Sequence, residues 1–329
     1  MAGGSDAPPH PSARLSWHDV EVQGRPAVYA TAGVGLPVVF LHGWGLGYRS
    51  YGPALDRLVE MGTRVLAPAL PGFGGTAALP DPELTIEAYG DWVADFLEVI
   101  GVEERVFLVG HSFGGGAAIA CAHRHRSKAR ALVLVNSIGG ATWKHHEEDP
   151  DLHVGLAERP LWDWGLHFPR DLLPLRTGTK VLPVVLKDAV PNLVRNPREM
   201  WRAAHLARRA DLRPALQELR RRRLPIVVLW GTDDGVIPQA SFLALCDAIG
   251  REGEIVDGRH SWLLADPDQF GEVMTNAVEV ARVAWEVERS RWPPGLRWLG
   301  RRVRARRARA RKAAVPAPAG DAAAVEEDE

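Results

Sequence analysis

Short apolar runs recur along the chain and alternate with segments whose apolar residues follow a helical spacing. The runs are six to eight residues long and rich in Val, Leu and Ile, without the polar alternation of a half-exposed strand. Buried strands that alternate with helices predict the α/β class, with a mostly parallel sheet covered by helices on both faces. The runs occupy 36–43, 63–70, 105–110, 129–136 and 224–231, and the clearest helical spacing lies over 85–100.

The two ends and the middle of the chain depart from this rhythm. Alternating residues over 15–24 and 25–33 predict a β-hairpin, and 253–258 predicts a last short strand. Between 136 and 224, helical patterns punctuated by Pro and Gly predict an inserted helical cap without strands. The predicted organisation is a disordered N-terminus (1–14), a core (15–137 and 223–288), the cap (138–222) and a basic, then acidic, C-terminal tail (289–329).

Composition narrows the function classes. A hydrophobic content of 46% can fill a large core, and a net charge of −1 does not point to nucleic acid or to an acidic partner. The two cysteines, Cys121 and Cys246, match no metal or redox spacing. We expect a cytoplasmic protein, because the N-terminus lacks the apolar core of a signal peptide and no window is apolar enough to span a membrane.

The segment Gly110-His111-Ser112-Phe113-Gly114 fits the pattern G-x-S-x-G. A buried run leads into it and a helix of small residues leads out. At such a turn the serine backbone is strained, the flanking glycines allow strand and helix to approach closely, and the hydroxyl is exposed at the edge of the sheet. The context therefore predicts a nucleophilic serine.

A serine hydroxyl needs a base, and the base needs a carboxylate that orients it. His260 is the one histidine that follows Leu224, on a loop after the last predicted strand that could reach the sheet edge. Asp233 and Asp234 both follow the preceding strand, and either could be the carboxylate. The residue types alone leave that choice open.

Together these motifs resemble the α/β-hydrolase superfamily over roughly residues 25–285. The chain order serine, aspartate, histidine is that family's own. The spacing in "GTDDGVIP" resembles the family's acid loop, which selects Asp234 and leaves Asp233 as a solvated or turn-capping residue. Some members carry the acid after the strand that ends near residue 136, where this chain has Asn136.

The resemblance also implies an oxyanion hole. "FLHGWG" is similar to the family's H-G-x-G loop, so the backbone amides of Trp44 and Phe113 are the expected donors. His42 and Gly43 are expected to support that loop, as Gly110 and Gly114 support the serine turn. The chain departs from the family at Ala69, where relatives often carry Asp.

The resemblance implies a serine hydrolase with a helical cap, cleaving a carboxylic ester or a related acyl bond without cofactor or metal. Ser112 excludes the haloalkane dehalogenases and epoxide hydrolases of this fold, which use Asp there. The same triad serves C–C bond hydrolysis of ring-cleavage diketones and cofactor-free perhydrolysis, which we keep as alternatives. A non-catalytic binding protein is a further alternative that the complete triad disfavours.

The cap and the tail suggest partners. Aromatic residues predict a cap underside that takes a small, apolar acyl substrate, and a run of acidic and histidine residues over 143–153 reads as a solvated cap entrance and not a metal site. In the tail, 291–312 resembles a membrane-surface helix, although we favour a solvated arginine-rich extension; we expect no specific nucleic acid and leave the oligomeric state open. The cap aromatics are Trp143, Trp162, Trp164, Phe168 and Trp201.

Overall fold

The computed structural model describes residues 14–80, 83–145, 153–160 and 178–290. The chain divides into two compact units, 1–283 and 284–329, and the described part of the second unit is the C-terminal end of one helix. The predictions for 1–13, for the tail beyond residue 290, and for Trp162, Trp164 and Phe168 lie outside the described residues. Among the described helices, none is long and apolar enough to cross a membrane.

An eight-stranded sheet forms the centre of the first unit, in the order β1-β2-β4-β3-β5-β6-β9-β10. The predicted hairpin is confirmed, since β1 pairs antiparallel with β2, and β2 pairs antiparallel with β4. All other neighbours in the sheet are parallel. The strands are β1 (Ser16–Val22), β2 (Arg25–Ala32), β3 (Leu36–Leu41), β4 (Thr63–Pro68), β5 (Val106–His111), β6 (Ala129–Val135), β7 (Thr142–His145), β8 (His153–Gly155), β9 (Ile226–Gly231) and β10 (Glu254–Val256).

Helices cover both faces of the sheet, as the buried runs predict. On one face α2, α3, α6 and α7 pack against one buried apolar cluster, and on the other α1, α8 and α9 pack against a second. Strands with apolar side chains on both faces are thereby shielded from water on both faces. The helices are α1 (Gly52–Glu60), α2 (Ile86–Val99), α3 (Phe113–Arg124), α4 (Gly178–Arg195), α5 (Pro197–Arg209), α6 (Arg213–Arg221), α7 (Gln239–Ile249), α8 (Trp262–Ala265) and α9 (Pro267–Ser290).

The segment between β6 and β9 is not purely helical, which corrects the expectation of a cap without strands. β7 and β8 pair antiparallel in a separate two-stranded sheet. With four and three residues, these strands are too short to show the period-two pattern by which a strand is recognised in a sequence. The last helix of the segment, α6, buries Leu216 and Leu219 in the same cluster as α3 and α7.

Candidate active site

Ser112 occupies a sharp turn between β5 and α3. Its backbone lies at φ 53° and ψ −116°, a region that non-glycine residues rarely adopt. Three backbone hydrogen bonds hold it there: its N–H donates to the Val135 carbonyl at 3.0 Å, and its carbonyl accepts from Gly115 N at 3.0 Å and Ile138 N at 3.3 Å. Such strain persists only where the surroundings over-determine it, and it concentrates at functional sites.

The glycines that flank the turn are required by close backbone approach. A Cβ on Gly110 would lie 2.5 Å from the Gly114 carbonyl oxygen, and a Cβ on Gly114 would lie 2.2 Å from the Leu41 carbonyl oxygen. Helix α3 therefore packs against β3 and β5 more closely than any side chain would allow. Gly110 and Gly114 thus leave room for the backbone atoms that pack around the serine turn.

His260 and Asp234 form a buried pair at the carboxyl ends of β10 and β9. The His260 Nδ1 lies 2.9 Å from Asp234 Oδ2, and both side chains are almost completely buried. The two loops are joined by backbone bonds, among them Asp233 N to the Gly258 carbonyl at 2.9 Å. Asp233 itself is exposed, so the two neighbouring aspartates differ in burial.

Both oxygens of the Asp234 carboxylate accept further hydrogen bonds. Its Oδ1 accepts from the backbone N–H of Val236 and of Ile237, both at 2.8 Å. Its Oδ2 accepts from Asn136 Nδ2 at 2.5 Å as well as facing His260. Hydrogen bonds to both oxygens fix the orientation of the carboxylate, so that Oδ2 faces His260 Nδ1.

Asn136 is a site residue that sequence reasoning noted only as the absence of an acid. It follows β6 at φ 46°, a left-handed conformation that Asn tolerates better than most residues. Trp262 Nε1 donates to Asn136 Oδ1 at 2.9 Å, which orients the amide so that its Nδ2 faces Asp234. The chain Trp262, Asn136, Asp234, His260 is thus continuous and buried.

A second buried series of hydrogen bonds joins the loop after β3 to the loop that carries His260, and it passes through His111. The Gly43 N–H donates to the Tyr51 hydroxyl at 3.0 Å, and Tyr51 Oη lies 2.8 Å from His111 Nδ1. The His111 Nε2 lies 3.0 Å from the carbonyl oxygen of His260. Because a carbonyl can only accept, Nε2 carries the proton and Nδ1 accepts from Tyr51. Burial, and next the charge of nearby His260, lower the pKa of His111 well below its usual range.

His42 is buried and braces the loop that follows β3. Its Nε2 accepts from Leu70 N–H at 2.8 Å, and its Nδ1–H donates to the Gly43 carbonyl at 2.9 Å. Burial lowers the pKa of His42 to about 4, so the ring is neutral and fixed as one tautomer. The Trp44 indole Nε1 donates to the Met200 carbonyl at 2.7 Å, which ties the same loop to α5.

Ala69, where the chain departs from the family, is fully buried. A Cβ on Gly74, which lies at φ 58°, would come within 2.8 Å of the Ala69 Cβ. Ala69 is therefore a packing contact of the turn around Gly74 in this chain.

Other predicted residues lie apart from the site or beyond what the structure describes. Trp201 was expected to pack beneath the cap but is 57% exposed, because α5 turns Met200, Ala203 and Ala207 inward instead. Of the acidic and histidine run, 146–152 is outside the described residues. Within the described ranges, no three His, Cys, Asp or Glu side chains gather so that they could hold a metal ion.

Known proteins resemble this chain over most of its length. A model of the alpha/beta hydrolase family covers residues 38–273. A protein of Mycobacterium phage D29, provisionally named a non-heme haloperoxidase, is 31% identical over 76% of this chain and 90% of its own. The 2-hydroxymuconate semialdehyde hydrolase of Pseudomonas sp. strain CF600 is 28% identical over 67% and 78%. In fold, an esterase of Thermogutta terrifontis superposes with a TM-score of 0.63 at 22% identity, covering 81% of this chain and 99% of the other. The chain belongs to the alpha/beta hydrolase family.

Proposed function

We propose that this protein is a serine hydrolase that cleaves a carboxylic ester or a related acyl bond through an acyl-enzyme. The observation that carries the proposal is the buried pair of His260 and Asp234, joined through the His260 carbonyl to His111, the residue next to the strained Ser112. A nucleophile, a base and an orienting carboxylate at one edge of the sheet are the components that acyl transfer requires.

In the proposed reaction, the Ser112 Oγ attacks the substrate carbonyl carbon while His260 takes the hydroxyl proton. Asp234 stabilises the imidazolium that forms. The C–O bond to the leaving alcohol then breaks, and His260 returns the proton to the departing oxygen. Water then attacks the carbonyl carbon of the acyl-enzyme while His260 takes its proton. The bond between that carbon and Ser112 Oγ breaks, Oγ takes the proton from His260, and the acid leaves.

We assign the oxyanion to the backbone amides of Trp44 and Phe113. Phe113 is the first residue of α3, and the first N–H groups of an α-helix have no partner within the helix. Trp44 lies on the loop that His42 and Tyr51 brace. A donor at each position would stabilise the tetrahedral intermediate by hydrogen bonds that strengthen as charge develops on oxygen.

C–C bond hydrolysis and perhydrolysis are the alternative reactions of the same constellation. The names of two relatives, a C–C type semialdehyde hydrolase and a haloperoxidase, support keeping both. A chromogenic ring-cleavage diketone separates the first from an esterase, and peroxide-dependent oxidation of bromide separates the second. Either alternative is favoured over ester hydrolysis only if kcat/KM for its substrate exceeds kcat/KM for the ester.

The replacement Ser112→Ala tests the proposal. We expect turnover of a short p-nitrophenyl ester to fall by about 10⁴- to 10⁶-fold, because the nucleophile is lost while the fold is not. Circular dichroism and thermal unfolding of the variant establish that it is folded. Ester turnover by folded Ser112→Ala at the parent rate would refute the assignment.

A further inference from the structure

Over 186–195, the part of helix α4 whose side chains the structure describes, two polar residues are buried and several apolar ones are exposed, the reverse of an ordinary amphipathic helix. Asp188 and Asn192, one turn apart, are each only 6% exposed. The apolar side chains on its other faces are 48–73% exposed: Leu186, Val190, Leu193 and Val194. A helix docked by its polar side chains must be held by specific hydrogen bonds, because buried polar groups without partners are costly.

Asp188 makes those bonds to the segment just beyond the oxyanion loop. Its Oδ2 accepts from the Gly47 N–H at 3.2 Å, from the Ser50 N–H at 2.9 Å and from the Ser50 hydroxyl at 2.7 Å. The three donors are buried with it. One carboxylate oxygen from α4 therefore fixes two backbone amides of a segment that begins three residues after Trp44.

Asn192 and α5 hold the same loop at two further points. The Asn192 Nδ2 donates to the Gly45 carbonyl at 3.1 Å, and its Oδ1 accepts from Gly74 N–H at 3.0 Å. The Met200 carbonyl accepts from the Trp44 indole. The loop is thus held at Trp44 and on its C-terminal side by α4 and α5, and at Gly43 by Tyr51 and His42.

We propose that Asp188 is a positioning residue for the oxyanion hole: it fixes the backbone of residues 47–50, and through it the Trp44 amide. The inference rests on the function proposed above and names the contact by which the segment between β6 and β9 takes part in the chemistry. Its effect falls on the transition state, since a displaced donor weakens a bond that matters most when the oxygen is charged.

Three variants remove the contact in steps. Asp188→Ala leaves three buried donors without their acceptor, Asp188→Asn keeps an acceptor oxygen but loses its charge, and Ser50→Ala removes one of the three bonds. Because a single lost donor costs about 10²- to 10³-fold in kcat, a displaced one should cost about 10- to 100-fold in Asp188→Asn, with KM unchanged. We expect the kcat losses to rank Asp188→Ala, then Asp188→Asn, then Ser50→Ala.

A thionoester substrate gives a readout that general destabilisation would not move. Sulfur accepts hydrogen bonds weakly, so a C=S substrate depends less on the oxyanion donors than its C=O analogue does. We expect the ratio of kcat/KM for ester over thionoester to fall in Asp188→Asn and Ser50→Ala. The matched control is Lys187→Ala, an exposed neighbour on the same helix, which should retain the parent's kcat and ratio.

Two outcomes would overturn the inference. The first is a parent-like kcat in Asp188→Asn and Ser50→Ala. The second is a kcat loss in them with an unchanged ester to thionoester ratio. Labelling of the parent enzyme at Ser112 by a fluorophosphonate separates a failure of the Asp188 inference from a failure of the proposed function. If the enzyme is labelled, either outcome refutes only the role of Asp188 and not the nucleophilic role of Ser112.

Discussion

At the scale of single residues, the two neighbouring aspartates differ in their environment. Asp234 is buried, accepts from two backbone amides and Asn136, and faces His260, whereas Asp233 is exposed. We expect Asp234→Asn to lower kcat by about 10⁴-fold, because an amide cannot stabilise the imidazolium. Asp233→Asn is the matched control and should stay within about twofold of the parent. Steady-state kinetics on one ester measure both, and the reverse ranking would assign the role to Asp233.

Asn136 gives a second prediction about the same carboxylate. Asn136→Asp places an acid where a donor now lies 2.5 Å from Asp234 Oδ2. Two carboxylates at that distance disfavour joint ionisation, so the apparent pKa of the pair rises. We expect the acid limb of the pH profile of kcat/KM to move to higher pH. An unchanged profile in the folded variant would mean that Asn136 does not contact the acid in solution.

Some residues of the candidate site could be predicted from the sequence, and others could not. Ser112 and His260 could be proposed from the sequence, because each follows a recognisable strand and the reaction requires its residue type, whereas only the resemblance to the family's acid loop separates Asp234 from Asp233. Tyr51, His111 and Asp188 could not be predicted, since their partners lie 60, 149 and 138 residues away in sequence. Such contacts depend on how elements pack, which local patterns do not carry.

At the scale of elements, the turn between β5 and α3 depends on close packing of backbone. Gly114→Ala would place a Cβ 2.2 Å from the Leu41 carbonyl oxygen, which cannot move without distorting β3. We expect a loss of about 1–3 kcal/mol in the free energy of unfolding, or more if the strand cannot shift. Gly52→Ala at the start of α1 is the control, because its Cβ would meet nothing within 4 Å and its φ is −43°.

Denaturant unfolding of the two glycine variants distinguishes packing from conformational freedom. Gly52→Ala should change the free energy of unfolding by less than about 1 kcal/mol, since alanine restricts the unfolded chain while the following Pro53 disfavours a helical residue with a Cβ before it. Equal stability of both variants would contradict the claim that Gly114 is required by contact.

The elements themselves were predictable where burial is continuous. Strands β3 to β6 and β9 lie in largely apolar runs, and α2 in a clear helical spacing, so pattern and structure agree. Strands β7 and β8 are too short to carry a pattern. Helix α4 runs through Pro183 and Pro191 as one helix of 18 residues, where prolines predicted shorter pieces. Tertiary contacts override the local signal there.

At the scale of the whole molecule, two buried neutral histidines make stability depend on pH. The pKa of His42 falls to about 4 and that of His111 falls well below its usual range, both chiefly through burial. In the unfolded chain both rings titrate near pH 6.5. Below that pH the unfolded state therefore binds protons that the folded state does not, and folding free energy is lost as the pH falls.

We expect stability to be retained above about pH 6.5 and to decline between there and about pH 4. The loss from His42 alone is on the order of 3 kcal/mol, because one pKa unit corresponds to about 1.4 kcal/mol. Urea unfolding at a series of pH values measures it. A free energy of unfolding that stays level from pH 7 to pH 4.5 would show that the two rings are not buried neutral.

The proposed reaction requires that Ser112 carries an acyl group during turnover. The most direct measurement is intact-mass and peptide mass spectrometry of the protein quenched in acid during turnover of an ester, or after reaction with a fluorophosphonate. We expect one added acyl or phosphonyl mass, mapped to the peptide that contains Ser112 and absent from the Ser112→Ala variant. Modification at any other residue, or turnover of the ester without a trapped adduct and without reaction with the fluorophosphonate, would contradict it.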